Sequence, residues 1–282
     1  MVDVYVTAAF SKDNKGGNKA GVVLVRSELT SVQKAEIAKE MGYSETAFVL
    51  DSDKADYKLQ YFTPTEEVPL CGHATIAAFS TLKLLGMLDK PDCTIETEAG
   101  ILNIHIKEDS LILMEQNCPE YLKVLDSDIF TGCIQKGFID HRFPIQIVST
   151  GLNDIMLPVD SAEHLKRLSP DFERIANMTK EKEAVGVHAF TLIKESDVTA
   201  ICRNFAPLYG INEESATGTA SCALACYLFK YYKQQPQYVF EQGHNMGEIS
   251  RIVVNILYHE NVIDSVFVGG YGHMLGKKSL PV

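Results

Sequence analysis

Short runs of alternating or continuously apolar residues dominate the chain, and two longer stretches are apolar on every face. In the first half the short runs fall at 2–10, 20–25, 46–50, 57–62, 102–107 and 111–116. Their length and β-branched content predict strands. Gly16, Gly17 and Asn18 separate the first two runs, a turn composition suited to positive φ. The stretch 31–41 predicts a helix, with Thr30 or Ser31 to cap its start and Gly42 to end it. The stretch 74–88 is apolar nearly all round, so a helix there belongs inside a domain rather than on its surface.

The second half repeats this plan. Strands are expected at 146–149, 154–159, 189–193, 198–204, 239–242, 249–257 and 262–269. Helices are expected at 161–168 and 171–182, and a second all-round apolar helix at 219–232. The segment 118–127 reads as the crossover between halves, and Lys277-Lys278 as part of a solvated tail.

The halves also match in their residues. ETAFVL (45–50), FTP (62–64), CGHATIAAF (71–79) and EAGILNI (98–104) are answered by HAFTLI (188–193), FAP (205–207), ATGTASCAL (216–224) and MGEISRIVV (246–254). Corresponding residues lie about 142 to 147 positions apart, the slow drift that loop insertions give a duplication. Two lobes are therefore expected: 1–117, with the tail at 267–282 a candidate to return to it, and 118–266. A cleft between them is where function belongs. Differences between the copies are candidates for chemistry: Glu45 is answered by Val187, and His73 by Thr219.

Composition narrows the class. A chain of 282 residues that is 46% hydrophobic can build two ordinary cores. Its net charge is −11 and it has no basic run, which argues against a nucleic-acid partner. No apolar segment approaches the ~18 residues of a membrane span, so no membrane partner is expected. The first residues lack the basic and apolar regions of a secretory leader. Seven irregularly spaced cysteines suit a reducing compartment, and a cytoplasmic location is expected.

Both oily helices open on glycine, as Gly72-His73-Ala74 and Gly218-Thr219-Ala220. A helix start presents unpaired N–H groups and a positive dipole end, and glycine lets a ligand approach, so the pair suits a carboxylate. Ordinary capping is the alternative. Glu45 leads directly into an apolar strand; partly desolvated there, it would hold its proton more tightly and suit acid/base work. A solvated loop glutamate is its alternative. His73 at a positive helix end is biased toward neutral imidazole, which can relay a proton, donate to a ligand or simply cap. Glu213 and Glu214 would complement the dipole of the second helix. Cys71-x-His73 lacks a second Cys/His pair, so no metal is expected, and no phosphate-binding glycine loop points to a nucleotide.

The ordered set GGN, SETAFV, FTPTEEVPLCGHATIAA, ETEAG, FAP, EESATGTASCALA and MGEISRIVV resembles the phenazine-biosynthesis PhzF-like family along the whole chain. The block FTPTEEVPLCGHATIAA is its most specific part. The resemblance implies an α+β, diaminopimelate-epimerase-like fold. Its two pseudo-symmetric lobes are each a mixed, curled, barrel-like sheet around a central apolar helix, usually in a homodimer and without cofactor or metal. It implies that Glu45, in the Ser-Glu-Thr motif, moves a proton on a cyclohexadienyl carboxylate, with His73 and Glu214 as the other catalytic residues. Asn18, Gly72, His73, Gly218 and Thr219 are the implied substrate-binding residues. Two positions depart from the family motif Asp-Pro-Ala-Thr-Gly-Ser: its aspartate is Glu214 here, and its serine is Thr219. Related epimerases use two thiols, for which Cys71 fills the first place, but Ala216 stands in the second. The reading is a cofactor-independent isomerase of a small, cyclic, carboxylated metabolite. The alternatives are a catalytically degenerate ligand-binding or regulatory protein, and an epimerase of amino-acid-like acids.

Overall fold

A computed structural model describes residues 1–25 and 27–281. The first of two units comprises Met1–Glu115 with Gly269–Val282, and the second Gln116–Val268. In chain order the first unit holds β1 (Val2–Ser11), β2 (Asn18–Leu24), α1 (Ser31–Met41), β3 (Thr46–Leu50), β4 (Tyr57–Phe62) and β5 (Glu67–Val68). It continues with α2 (Gly72–Leu84), β6 (Asp92–Thr97), β7 (Gly100–Ile106) and β8 (Ile112–Gln116). The second unit holds β9 (Glu120–Leu125), β10 (Ile145–Ser149), β11 (Asn153–Pro158), α3 (Ala162–Arg167) and α4 (Phe172–Glu181). There follow β12 (Gly186–Leu192), β13 (Ala200–Ala206), β14 (Ile211–Glu214), α5 (Gly218–Tyr231), β15 (Gln237–Gln242) and β16 (Ser250–His259). The last strand, β17 (Val262–Leu280), belongs to the second unit up to residue 268 and to the first beyond it.

In the first unit β1 pairs antiparallel with β2, β2 parallel with β3, β3 antiparallel with β4, and β4 parallel with β6. β6, β7 and β8 continue antiparallel, and β17 joins β8 on one side and β1 on the other, so the mixed sheet curls into a closed ring. That closure pairs the outer strands of the sheet with each other among the described residues. α2 packs against β1, β2 and β3, and every residue from His73 to Leu82 is buried. Its buried hydroxyls are matched to sheet residues: the Tyr61 hydroxyl meets Thr75 Oγ1 at 2.6 Å, and Thr7 Oγ1 meets Thr81 Oγ1 at 2.8 Å. Each threonine donates to a helix carbonyl one turn back, so the sheet hydroxyl is the donor in each pair. Gly269 is a point of close approach, where a Cβ would stand 1.9 Å from the Ile112 carbonyl oxygen.

The second unit has the same order of pairings. β10–β11 is antiparallel, β11–β12 parallel, β12–β13 antiparallel, β13–β15 parallel and β15–β16 antiparallel. Its oily helix, α5, packs on β10, β11 and β16 and is buried from Ala220 to Phe229. The duplication is thus one of topology as well as of residues.

Local signals set several boundaries. α1 starts at a capping box, in which Thr30 Oγ1 accepts from the Gln33 N–H and the Gln33 side chain accepts from the Thr30 N–H. It ends at Gly42, left-handed at φ 69°, whose N–H donates to Ala38. Gly17, at φ 88°, turns the chain where a Cβ would lie 2.5 Å from the Ala9 carbonyl.

Three expectations need correction, and β6 went unpredicted. The segment 118–127 is no plain crossover, since it contains β9, paired with β10. Leu122 and Val124 of β9 are exposed, so its alternation carries no core signal. β6 was hidden because its buried alternation rests on Cys93, Ile95 and Thr97, two of them small. The pair Lys277-Lys278 is not a free tail: it lies in β17 opposite Tyr5 and Val4, and only its side chains reach solvent, Lys277 bonding Asp3. The first oily helix stops at Leu84, short of 88, and Leu84, Leu85 and Met87 are exposed.

Candidate active site

In the first unit Glu45 lies between the glycine that ends α1 and the first residue of β3. Its backbone carbonyl accepts from the Gly21 N–H at 3.3 Å, so the parallel β2–β3 pairing fixes where its side chain leaves the chain. α2 begins beside it. Its cap residue, Cys71, is extended (φ −143°, ψ 112°), and no side chain caps the helix. The Thr75 N–H and hydroxyl both return to the Cys71 carbonyl, at 3.0 and 2.7 Å. The N–H groups of Gly72, His73 and Ala74 come first on the helix, with the positive dipole end behind them.

His73 is 8% exposed and bridges three side chains. Its Nε2 lies 3.2 Å from Glu45 Oε2 and 3.4 Å from Ser44 Oγ, and its Nδ1 lies 3.4 Å from Cys71 Sγ. Burial pushes the imidazole below its usual range, and the opposing pull of Glu45 is smaller. The ring is therefore neutral at pH 7. The tautomer that serves both bonded neighbours accepts a hydrogen bond from the Cys71 thiol at Nδ1 and donates from Nε2 to the Ser44 hydroxyl. Glu45 is 20% exposed, yet its Oε2 is buried and makes no hydrogen bond, because the 3.2 Å approach to Nε2 lacks hydrogen-bond alignment. A buried carboxylate oxygen without a donor has spare capacity for a proton. Asn18 opens β2 opposite Ala9, on the strand whose Gly21 holds the Glu45 backbone.

In the second unit α5 begins at Gly218 after the cap residue Thr217, again with no side-chain cap. The Thr217 hydroxyl instead donates to Glu214 Oε2 at 2.6 Å. Buried Gln242 completes the loop: its amide donates to the Glu214 carbonyl at 2.7 Å and to Thr217 Oγ1 at 3.0 Å, and its Oε1 accepts from the Thr217 N–H at 3.3 Å. Glu214 is thus held at the mouth of α5. Half-buried Thr219 is tied through its carbonyl to the Thr150 hydroxyl at 3.3 Å.

Glu213 does not serve the α5 dipole, correcting that expectation. It forms a two-pronged pair with buried Arg203, both bonds at 2.8 Å, and Arg203 also donates to the Leu165 and Leu168 carbonyls at the end of α3. The cap register also refines the two-thiol comparison. The residue before the first helical glycine is Cys71 in one copy and Thr217 in the other, with Ala216 one place earlier. Neither second-copy residue carries a thiol, and Cys222 is fully buried within α5.

Two residues escaped the sequence reading. Gln242 ends an apolar strand, and Asp154 opens one; a polar residue inside such a run was their only signal. Asp154 is 2% exposed, and burial, helped by the charge of Glu214, pushes its carboxyl up to about 7. Because its folded value lies above the unfolded one, folding takes up a proton between about pH 4 and 7. This stabilisation is full below that window and is lost as pH rises through it. Asp154→Asn should flatten the decline, which is at most about 1.4 kcal/mol per pH unit. Urea melts at several pH values measure it.

The sequence offered Cys71 and His73 alone as metal donors; the structure adds Glu45, with one donor atom from each within 4.8 Å of the others. Cys71 and Glu45 flank different ring nitrogens of His73, however. One ion can take only one of those nitrogens.

Comparison with known proteins places this geometry among others. The family model for phenazine biosynthesis-like proteins matches residues 7–276. An uncharacterized isomerase of Clostridium acetobutylicum is 33% identical over 264 residues, covering 86% of this chain and 87% of its own. YddE of Escherichia coli K12, also named an uncharacterized isomerase, is 32% identical over 284 residues, covering 95% and 94%. The crystal structure of a PhzF-family phenazine biosynthesis protein from Bacillus anthracis superposes with a TM-score of 0.92 at 28% identity, covering 100% of this chain and 99% of that one.

Proposed function

The chain belongs to the phenazine biosynthesis-like family, with relatives named as isomerases, and from that premise we propose that it moves a proton on a small, cyclic carboxylate, with Glu45 as its acid/base. The observation that carries this reading is the buried, donor-free Oε2 of Glu45, 3.2 Å from a neutral imidazole. Glu45 takes a proton from a carbon activated by conjugation to the substrate carboxylate and returns it to another carbon of the same face. Such a shift needs one acid/base group, which matches one glutamate in a duplicated scaffold. Neutral His73 supplies an N–H that donates to the substrate. The first N–H groups of α2 hold negative charge on the ligand. By the same physics the α5 start, with Gly218, Thr219 and Glu214, holds and orients an anionic group.

An epimerase that works from both faces of a carbon needs a second acid/base group. The place that answers Cys71 is Ala216 or Thr217 in the second copy, which supports the one-carboxylate reading. A binding protein on the same scaffold would move no protons. Incubation with a cell extract in D2O separates the isomerase from the binder: the isomerase places deuterium in one metabolite, and Glu45→Gln does not. Unlabelled metabolites throughout would favour the binder. Prolonged dialysis against EDTA should leave turnover unchanged, since no step is assigned to a metal. Activity lost to EDTA and restored by zinc would replace the acid/base reading with a metal one. We also propose a homodimer, whose mass light scattering in solution would report.

A further inference from the structure

The Cys71 thiol stands beside the proposed acid/base, yet the proposed chemistry gives it no step. One donor atom each from Glu45, Cys71 and His73 lies within 4.8 Å of the other two. All three residues belong to the first unit, and the matching places of the second copy hold Val187, Ala216 or Thr217, and Thr219. α5 starts without any of the three, so a helix start of this kind has no structural need of a thiol or an imidazole.

Thiolate, imidazole and carboxylate together are the donors a zinc-like ion takes, with a fourth place left for water. Bonds of about 2.0–2.3 Å in a tetrahedron put such donors about 3.3–3.5 Å apart, so the cluster must close by at most about 1.5 Å. Cys71 Sγ and His73 Nδ1 are already 3.4 Å apart. An ion on Nδ1 therefore has two ligands in place, and Glu45 is the one that moves. It has three side-chain torsions and is 20% exposed, where Cys71 is 9% and His73 8%. Its Oε2 has no hydrogen bond to give up. Burial keeps His73 neutral, the form that ligates. The positive end of α2 opposes a bare cation, but a thiolate and a carboxylate cancel both charges of the ion.

We propose that Glu45, Cys71 and His73 form an inhibitory site for zinc or another borderline-soft divalent ion. Binding sends the thiol proton to solvent, forms one bond from each residue to the ion, and withdraws a Glu45 oxygen from proton transfer. Magnesium and calcium, which prefer oxygen donors, do not compete. The site itself stands on geometry; the inhibition rests on the reading of Glu45 given under Proposed function.

Cobalt(II) probes the site without a substrate. Added to the wild-type protein, it should give the intense charge-transfer absorption of a thiolate ligand, and zinc should abolish that absorption by taking its place. Cys71→Ser should lose the absorption and weaken zinc binding, read by calorimetric titration, by more than about 100-fold, the upper end of what losing an outer-sphere contact costs. Glu45→Gln should keep the absorption but weaken zinc binding by more than about tenfold. Cys118→Ser, which removes an exposed thiol, should change neither. Circular dichroism matching wild type shows that a variant's loss is one of ligation, and Cys71→Ala serves if the serine variant does not fold. No thiolate absorption, absorption lost in Cys118→Ser, or zinc affinity indifferent to Cys71→Ser or to Glu45→Gln overturns the site. Incubation with a protein-free cell extract in D2O then reads the inhibition. Saturating zinc should stop the labelling and EDTA should restore it, whereas Cys71→Ser, judged against its own zinc-free labelling, should resist. Labelling that bound zinc leaves undiminished overturns the inhibition. Labelling absent even without zinc would instead sink the Glu45 reading and the inhibition with it, while the cobalt absorption still reports the site.

Discussion

Glu45→Gln should lower turnover roughly 100- to 10,000-fold, the contribution of one positioned acid/base group, while ligand binding survives. The substitution keeps the shape of the side chain and the backbone carbonyl that receives the Gly21 N–H. It removes only the capacity of Oε2 to take and return a proton. Neutral His73 cannot substitute, because burial holds its proton affinity low and its Nδ1 already faces the Cys71 thiol. The same variant should still bind a carboxylate at the α2 start, so KM should move far less than kcat. Turnover within a few-fold of wild type would remove Glu45 from the mechanism.

The largest effect on stability is expected at Arg203. Arg203→Ala should cost about 3–5 kcal/mol, because it leaves a largely buried carboxylate unpaired. The pair is well shielded, with Arg203 6% and Glu213 16% exposed, and the Leu165 and Leu168 carbonyls lose their donor at the same stroke. Surface pairs such as Arg167–Glu163 should contribute less than about 1 kcal/mol. Chemical denaturation of the single variant and of Arg203→Met with Glu213→Leu separates the causes. The double replacement should recover most of the loss, since the penalty comes from an orphaned charge. Equal losses would mean instead that packing around the guanidinium, including its stack on Phe205, dominates.

The sequence reading was accurate where structure is decided locally. α1 begins and ends at its own cap residues, and β3 and β4 carry strongly apolar, β-rich runs whose limits are visible in the chain. β9 and β6 escaped notice because a strand can be held by its neighbours' hydrogen bonds while its side chains give no core signal. The oily helices were legible because a helix without a polar face has nowhere to go but inside.

Periodicity, cap chemistry and an internal repeat, all written in neighbouring residues, fixed the two-copy plan, the buried helices and the candidates Glu45 and His73, while Glu214 became a catalytic candidate only through the family resemblance. Tertiary structure alone decided what those side chains meet. Parallel β2–β3 pairing brings a loop glutamate to the mouth of a helix 27 residues on, where His73 becomes neutral by burial. It likewise gives Glu213 to Arg203 and Glu214 to Thr217 and Gln242. A residue's charge state depends on what is desolvated around it, and partners distant along the chain supply that environment only once it has folded.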